Sequence, residues 1–285
     1  MKKIICIALL LVASLAHADV TLIIPFSPGG TYDTIGRRLS VFLTRELKEP
    51  VVVTNVLGAG GYIAVNRLES SNEKTIMLTS SAFYRNLLDN DVSIDNFNFI
   101  SILGESPLFL GVPKASGLTC DKLKDPSKNY FLGTSGVGSM SAKATAIVHE
   151  KYLHIIEVPY KGSGQMTTDM LSGQIAGTFY NSMPERPDIV LLANTSLQSS
   201  YGVPSITECF GIQESLKTQY LLVANKQMNS EFMKNLNMLS IKFVKDTDTI
   251  DHFKTQGITA SASSLKNTQS VVVNEYNKWK LKDKQ

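Results

Sequence analysis

The sequence predicts an α/β protein of two domains, each a mostly parallel sheet flanked by helices. Three observations carry that expectation. Apolar runs of strand character alternate with segments of helical period along the chain. Turn residues separate them throughout. The length left after the N-terminal leader, 267 of 285 residues, exceeds the roughly 150 typical of one domain.

The leader is residues 1–18. Lys2 and Lys3 precede an apolar run from Ile4 to Leu15 and then Ala16-His17-Ala18, the order of a cleavable secretory signal. No later segment approaches the roughly 20 apolar residues of a membrane-spanning helix, so the expectation is an exported protein that is not itself membrane-embedded. Val20 to Phe26 then reads as a buried strand. After Gly29-Gly30, Ile35, Leu39, Phe42 and Leu47 recur at helical spacing up to Pro50. Val51-Val52-Val53-Thr54 starts a second strand, Gly58-Ala59-Gly60-Gly61 leads into a short helix, and Thr75 to Thr79 gives a third strand ending at Ser80-Ser81. Phe99 to Leu103 and Leu108 to Val112 are strand-like. Tyr130 to Gly133 is a strand, Thr134 to Ser139 a small-residue turn, and Ala142 to Tyr152 a helix.

The formal charge of +3 falls to +1 without Lys2 and Lys3, which offers no footprint for nucleic acid. Beyond the leader the cysteines are Cys120 and Cys209. An oxidising compartment allows them to pair, and the sequence leaves open whether they do.

Two turns share one design. Ser27 to Thr31 and Ser135 to Ser139 each put small residues between a strand and a helix start, where the first amides lack intrahelical partners and the dipole is positive. Such an end can take an anion, and glycine lets a ligand approach the backbone. Tight strand-to-helix turning alone also accounts for each of them. Familiar catalytic patterns are missing: Ile63 stands where a dinucleotide fingerprint needs its third glycine, and Gly133-Thr134-Ser135-Gly136-Val137 lacks the last glycine of a nucleophile elbow. His149, His154 and His252 have no partners at metal-ligand spacing. No cofactor is expected.

Taken as a series, Ile24-Pro25-Phe26-Ser27-Pro28-Gly29-Gly30-Thr31-Tyr32-Asp33, Pro50 to Asn55 with Gly58-Ala59-Gly60-Gly61, and Val158-Pro159-Tyr160-Lys161-Gly162-Ser163 followed by Thr168 to Gln174 resemble the substrate-binding proteins of tripartite tricarboxylate transporters, the Bug family. The order and spacing agree over nearly the whole chain after the leader. The resemblance implies a type II-like periplasmic binding protein: two lobes joined by crossing strands, a ligand cleft between them, and a monomer that delivers a small organic carboxylate to membrane transporter subunits. By analogy residues 19–115 and 222–285 form the first lobe and 116–221 the second, with crossings at Leu110 to Pro113 and Tyr220 to Ala224.

Carried over by position, the implied ligand-binding residues are Phe26, Ser27, Pro28, Gly29, Gly30, Thr31 and Asp33 in the first loop and Ser135, Gly136, Gly138 and Ser139 in the second. Tyr160, Lys161 and Gly162 follow, with Ser80, Ser81 and Asn181 at strand ends. Asp33 is equally an ordinary partner for the helix dipole, Lys161 a solvated cation, and Asp169 a structural helix residue. The chain departs from the family pattern at Val56-Leu57, where Arg-Pro is usual, and at Asn72-Glu73-Lys74, where Asp-Gly-Tyr is usual. Those departures bear on which ligand is bound. Two other uses remain: a sensor docking on a membrane receptor when closed, and a secreted α/β hydrolase.

Overall fold

The computed structural model describes residues 19–161 and 163–282. The leader and Gly162 lie outside the described residues.

From the N-terminus, β1 (Val20–Ile24), α1 (Thr31–Leu47), β2 (Val51–Asn55), α2 (Tyr62–Glu69), β3 (Thr75–Thr79) and α3 (Ala82–Asp89) wind one strand–helix unit after another, and then β4 (Phe97–Pro107) begins the passage to a second sheet. There follow β5 (Phe109–Pro113), α4 (Cys120–Lys124), β6 (Tyr130–Thr134), α5 (Met140–Lys151), β7 (Ile155–Pro159), α6 (Ser163–Leu171), β8 (Gly177–Tyr180), β9 (Ile189–Asn194) and α7 (Ile206–Phe210). The chain returns through β10 (Lys217–Asn225) to α8 (Ser230–Lys245), α9 (Thr247–Thr255), β11 (Thr259–Ala260) and α10 (Leu265–Lys282).

The first sheet has the order β11-β4-β10-β3-β1-β2 and the second β7-β6-β8-β5-β9. Both are mixed. Pairing is parallel where strand–helix–strand units wind up, as in β1 with β2 and β3 and in β6 with β7 and β8. It is antiparallel at the strands that carry the chain between sheets, β4, β5 and β10. The change of sheet falls at Leu108 on the way out and before Lys217 on the way back. Sheet membership therefore puts β5 with the second sheet and all of β10 with the first, a few residues earlier than the divisions after 115 and 221 read from the sequence.

Two-residue alternation fills both faces of the first sheet. Leu22, Ile24 and Leu78 pack with Leu39 of α1 and Phe243 of α8 on one face, while Ile23 and Met77 pack with Leu68 of α2 and Phe83 of α3 on the other. Leu132, Ile155 and Phe179 form the second core with Val148 of α5. Cys120 and Cys209 form a disulfide between α4 and α7, with Cα atoms 5.3 Å apart. Near the end of α10 the single tryptophan, Trp279, packs against the cores of both sheets, and Lys143 of α5 places its Nζ 3.4 Å from the ring centroid. Among the described residues no helix is long and apolar enough to cross a membrane.

Candidate ligand cleft

The two sheets face each other across a cleft of about 1710 Å³. Its first wall is the loop after β1. Gly29 takes a left-handed φ of 78°, a conformation that glycine adopts at little cost, and this turns the chain into α1. Gly30 is the residue before that helix and no side chain caps the helix start, so its leading amides are open to the cleft. Asp33 lies beneath, 3% exposed. Its carboxylate accepts from the Gly29 N–H at 2.9 Å, from Arg37 Nε at 2.8 Å and from Asn55 Nδ2 at 2.9 Å. Asn55 Nδ2 also donates to the Phe26 carbonyl. Burial alone pushes the Asp33 carboxyl up, but the hydrogen bonds from Arg37, Gly29 and Asn55 outweigh it and hold the group below its ordinary value. Asp33 thus fixes the loop and does not line the cleft.

The second wall, the turn before α5, is built differently. Ser139 caps its own helix by accepting from the Ala142 N–H at 3.2 Å, and Ser141 Oγ takes the Ser135 N–H at 3.0 Å. Ser135, Gly136, Val137 and Ser139 line the cleft, yet part of their donor capacity is already committed. Gly138 does not line the cleft and lies beside Arg85 and Asp89 of α3. Between the two walls the Val137 carbonyl reaches Gly60 so closely that a Cβ there would overlap its oxygen. The Gly58–Gly61 turn and the Ser135–Ser139 turn thus meet as backbone against backbone.

Of the remaining sequence-derived positions, Tyr160, Lys161 and Asn181 line the cleft. Tyr160 donates to Asp169 Oδ2 at 2.9 Å. Lys161 is exposed and makes no ion pair among the described residues, whereas Arg186 on the same cleft is held by Asp188. Ser80 and Ser81 are buried behind the wall, where Ser80 Oγ accepts from the Ala82 N–H and Ser81 Oγ from the Gln219 N–H. His149 and His154 each bond a backbone carbonyl, Ile155 O and Leu123 O, away from the cleft.

Several lining residues are not among the ligand-binding positions carried over from the sequence. Leu57, 44% exposed, belongs to the pair that stands in place of the family's Arg-Pro, and it puts an apolar surface on the cleft. Met166, Leu171 and Tyr180 extend that surface, and burial pushes the Tyr180 hydroxyl up to about 12, so it stays a donor at neutral pH. His252 and Gln256 come from α9 and the residue after it, and Ser182 and Glu185 from the link between β8 and β9. The only signal for the first pair is their spacing of four, which puts both on one helix face. The link follows no helical or strand period.

The family model of the tripartite tricarboxylate transporter family receptor matches residues 35–283. Protein BugT of Bordetella pertussis is 27% identical over 284 aligned residues, covering 91% of this chain and 86% of BugT. A UPF0065 protein of the same organism is 30% identical over 186 residues, and that match spans 58% of this chain and 57% of the relative. Among solved structures, R. palustris Rpa4515 with adipate superimposes with a TM-score of 0.82 at 22% identity, covering 92% of this chain and 95% of that one. The periplasmic binding protein BugD gives 0.82 at 19% with the same coverage, and MatC from Rhodopseudomonas palustris with bound malate gives 0.77 at 19%, covering 92% and 97%. With most of its length matched by the family model, the chain belongs to the tripartite tricarboxylate transporter receptor family.

Proposed function

We propose that this protein is a periplasmic receptor that closes two lobes on a small organic carboxylate and hands it to membrane transporter subunits without chemically changing it. The lobes divide at the crossings near Leu108 and Leu216. The observation that carries the reading is the uncapped start of α1, which opens onto the cleft opposite the Ser135–Ser139 turn. Backbone amides and the helix dipole bind a carboxylate without an ion pair, and Lys161, which makes no ion pair among the described residues, adds a positive charge at the cleft wall. Leu57, Met166 and Tyr180 supply the apolar walls typical of small-molecule sites. Relatives solved with adipate and malate support a dicarboxylate of similar size.

Isothermal titration against a panel of dicarboxylates, tricarboxylates, acidic amino acids and aromatic acids tests this, with recovery of the ligand afterwards to check for turnover. Native-state binding raises the melting temperature by mass action. Gly30→Asp places a carboxylate at the helix start and is expected to abolish binding while leaving the fold intact. Undiminished affinity in that variant removes the first loop from the site, and conversion of a bound acid to product makes the protein an enzyme.

A further inference from the structure

One end of the cleft carries a hydrogen-bond chain with a fixed direction. Gln256 Nε2 donates to Glu185 Oε1 at 2.8 Å. A carboxylate at neutral pH has no proton to give, so the nitrogen of the amide must face it. The amide oxygen then faces Ser182, whose hydroxyl donates to Gln256 Oε1 at 2.9 Å. Ser182 has a single proton, and that bond uses it.

Thr31 Oγ1 stands 2.7 Å from Ser182 Oγ. With the Ser182 proton committed to Gln256, the Thr31 hydroxyl is the donor in this contact. Its one proton is therefore committed to Ser182, and what Thr31 offers a ligand is an acceptor. The relay is well fixed: Ser182 is 1% and Gln256 7% exposed, and the Gln256 backbone carbonyl accepts from the Met183 N–H at 2.9 Å. Two more polar atoms of lining residues here, Asn181 Oδ1 and His252 Nε2, are buried without a hydrogen-bond partner among the described residues.

We propose that the ligand carries a hydroxyl or an ammonium on the carbon beside its carboxylate, donated to Thr31 Oγ1, and that Glu185 sets this preference through Gln256 and Ser182. Thr31 opens α1, so a carboxylate on the leading amides places its neighbouring carbon next to that oxygen. Glu185 acts here as a positioning residue. The inference rests on the carboxylate-receptor reading and goes beyond it by naming what the ligand bears next to the acid.

The test is calorimetric titration with matched acids differing in that one group: succinate, malate and aspartate, and in parallel glutarate, 2-hydroxyglutarate and glutamate. The donor-bearing member of a series is expected to bind about fivefold to tenfold more tightly than the bare acid, the worth of about one hydrogen bond. A preference for malate assigns the hydroxyl, and one for aspartate the ammonium. In Glu185→Gln the amide can present either face, Gln256 is free to turn over, and the ratio should fall to within about twofold while the melting temperature confirms folding. Thr31→Val should remove the preference and Thr31→Ser retain it. Equal binding within both series overturns the proposal but leaves the receptor reading standing, and so does a preference that survives Glu185→Gln. Failure of every acid to bind overturns both.

Discussion

Asp33→Asn changes one atom and separates a loop-fixing role from simple surface charge. The asparagine keeps one carbonyl oxygen where the carboxylate serves three donors, so it can satisfy Asn55 or the pair formed by the Gly29 N–H and Arg37, but not all of them. Arg37 is more than half exposed, and its share is about 0.5 kcal/mol. The Gly29 N–H bond to a carboxylate that is 3% exposed is worth about 2 kcal/mol. The expected loss is about 2–3 kcal/mol, a fall in melting temperature of about 4–8 °C. Arg37→Ala should lose no more than about 0.5 kcal/mol. The acid dependence sharpens the test. Because the folded carboxyl is held below its ordinary value of 3.8, its contribution is complete above that pH and is lost as pH falls through the lowered value. Urea unfolding of both proteins between pH 7 and pH 3 should give curves that lie apart at neutral pH and converge in acid. A difference that is absent at pH 7, or that persists unchanged at pH 3, refutes the argument that this carboxylate holds the loop.

Three further outcomes follow from the geometry. Gly60→Ala, at a left-handed φ of 61° and against the Val137 carbonyl, should weaken ligand binding about tenfold by holding the glycine turns apart, and calorimetry together with small-angle scattering reads both effects. Cys209→Ser opens a disulfide spanning 89 residues and should lower stability by up to about 4 kcal/mol, with the earliest loss of hydrogen-exchange protection in α4 and α7. Ligand should shift the emission of Trp279, which bridges both cores under Lys143, and unchanged emission during a calorimetrically complete titration would mean that α10 does not sense closure.

The parts of this molecule legible in its sequence are those where one local rule suffices. The strand read over Val20 to Phe26 is found at Val20–Ile24 because its apolar run cannot be satisfied at a surface, and the turn that follows is legible because consecutive glycines precede a helical period. The sheet pairing is less legible: β10 looks like any buried strand, and only its position between β3 and β4 makes it antiparallel. Ser80 and Ser81 mark the limit more clearly. A serine pair at a strand end reads as a ligand contact, yet the same hydroxyls satisfy amides of Ala82 and Gln219, and no sequence rule distinguishes an amide of the protein from the carboxylate of a guest. The relay through Glu185, Gln256, Ser182 and Thr31 is less visible still, since it joins three distant segments and no member is unusual alone. In the proposed preference these four residues act through the direction of each proton, and that direction is fixed at one end by a carboxylate that can only accept. On the proposed reading, backbone amides hold the carboxylate common to many acids, and the side-chain network behind them decides which of those acids fit.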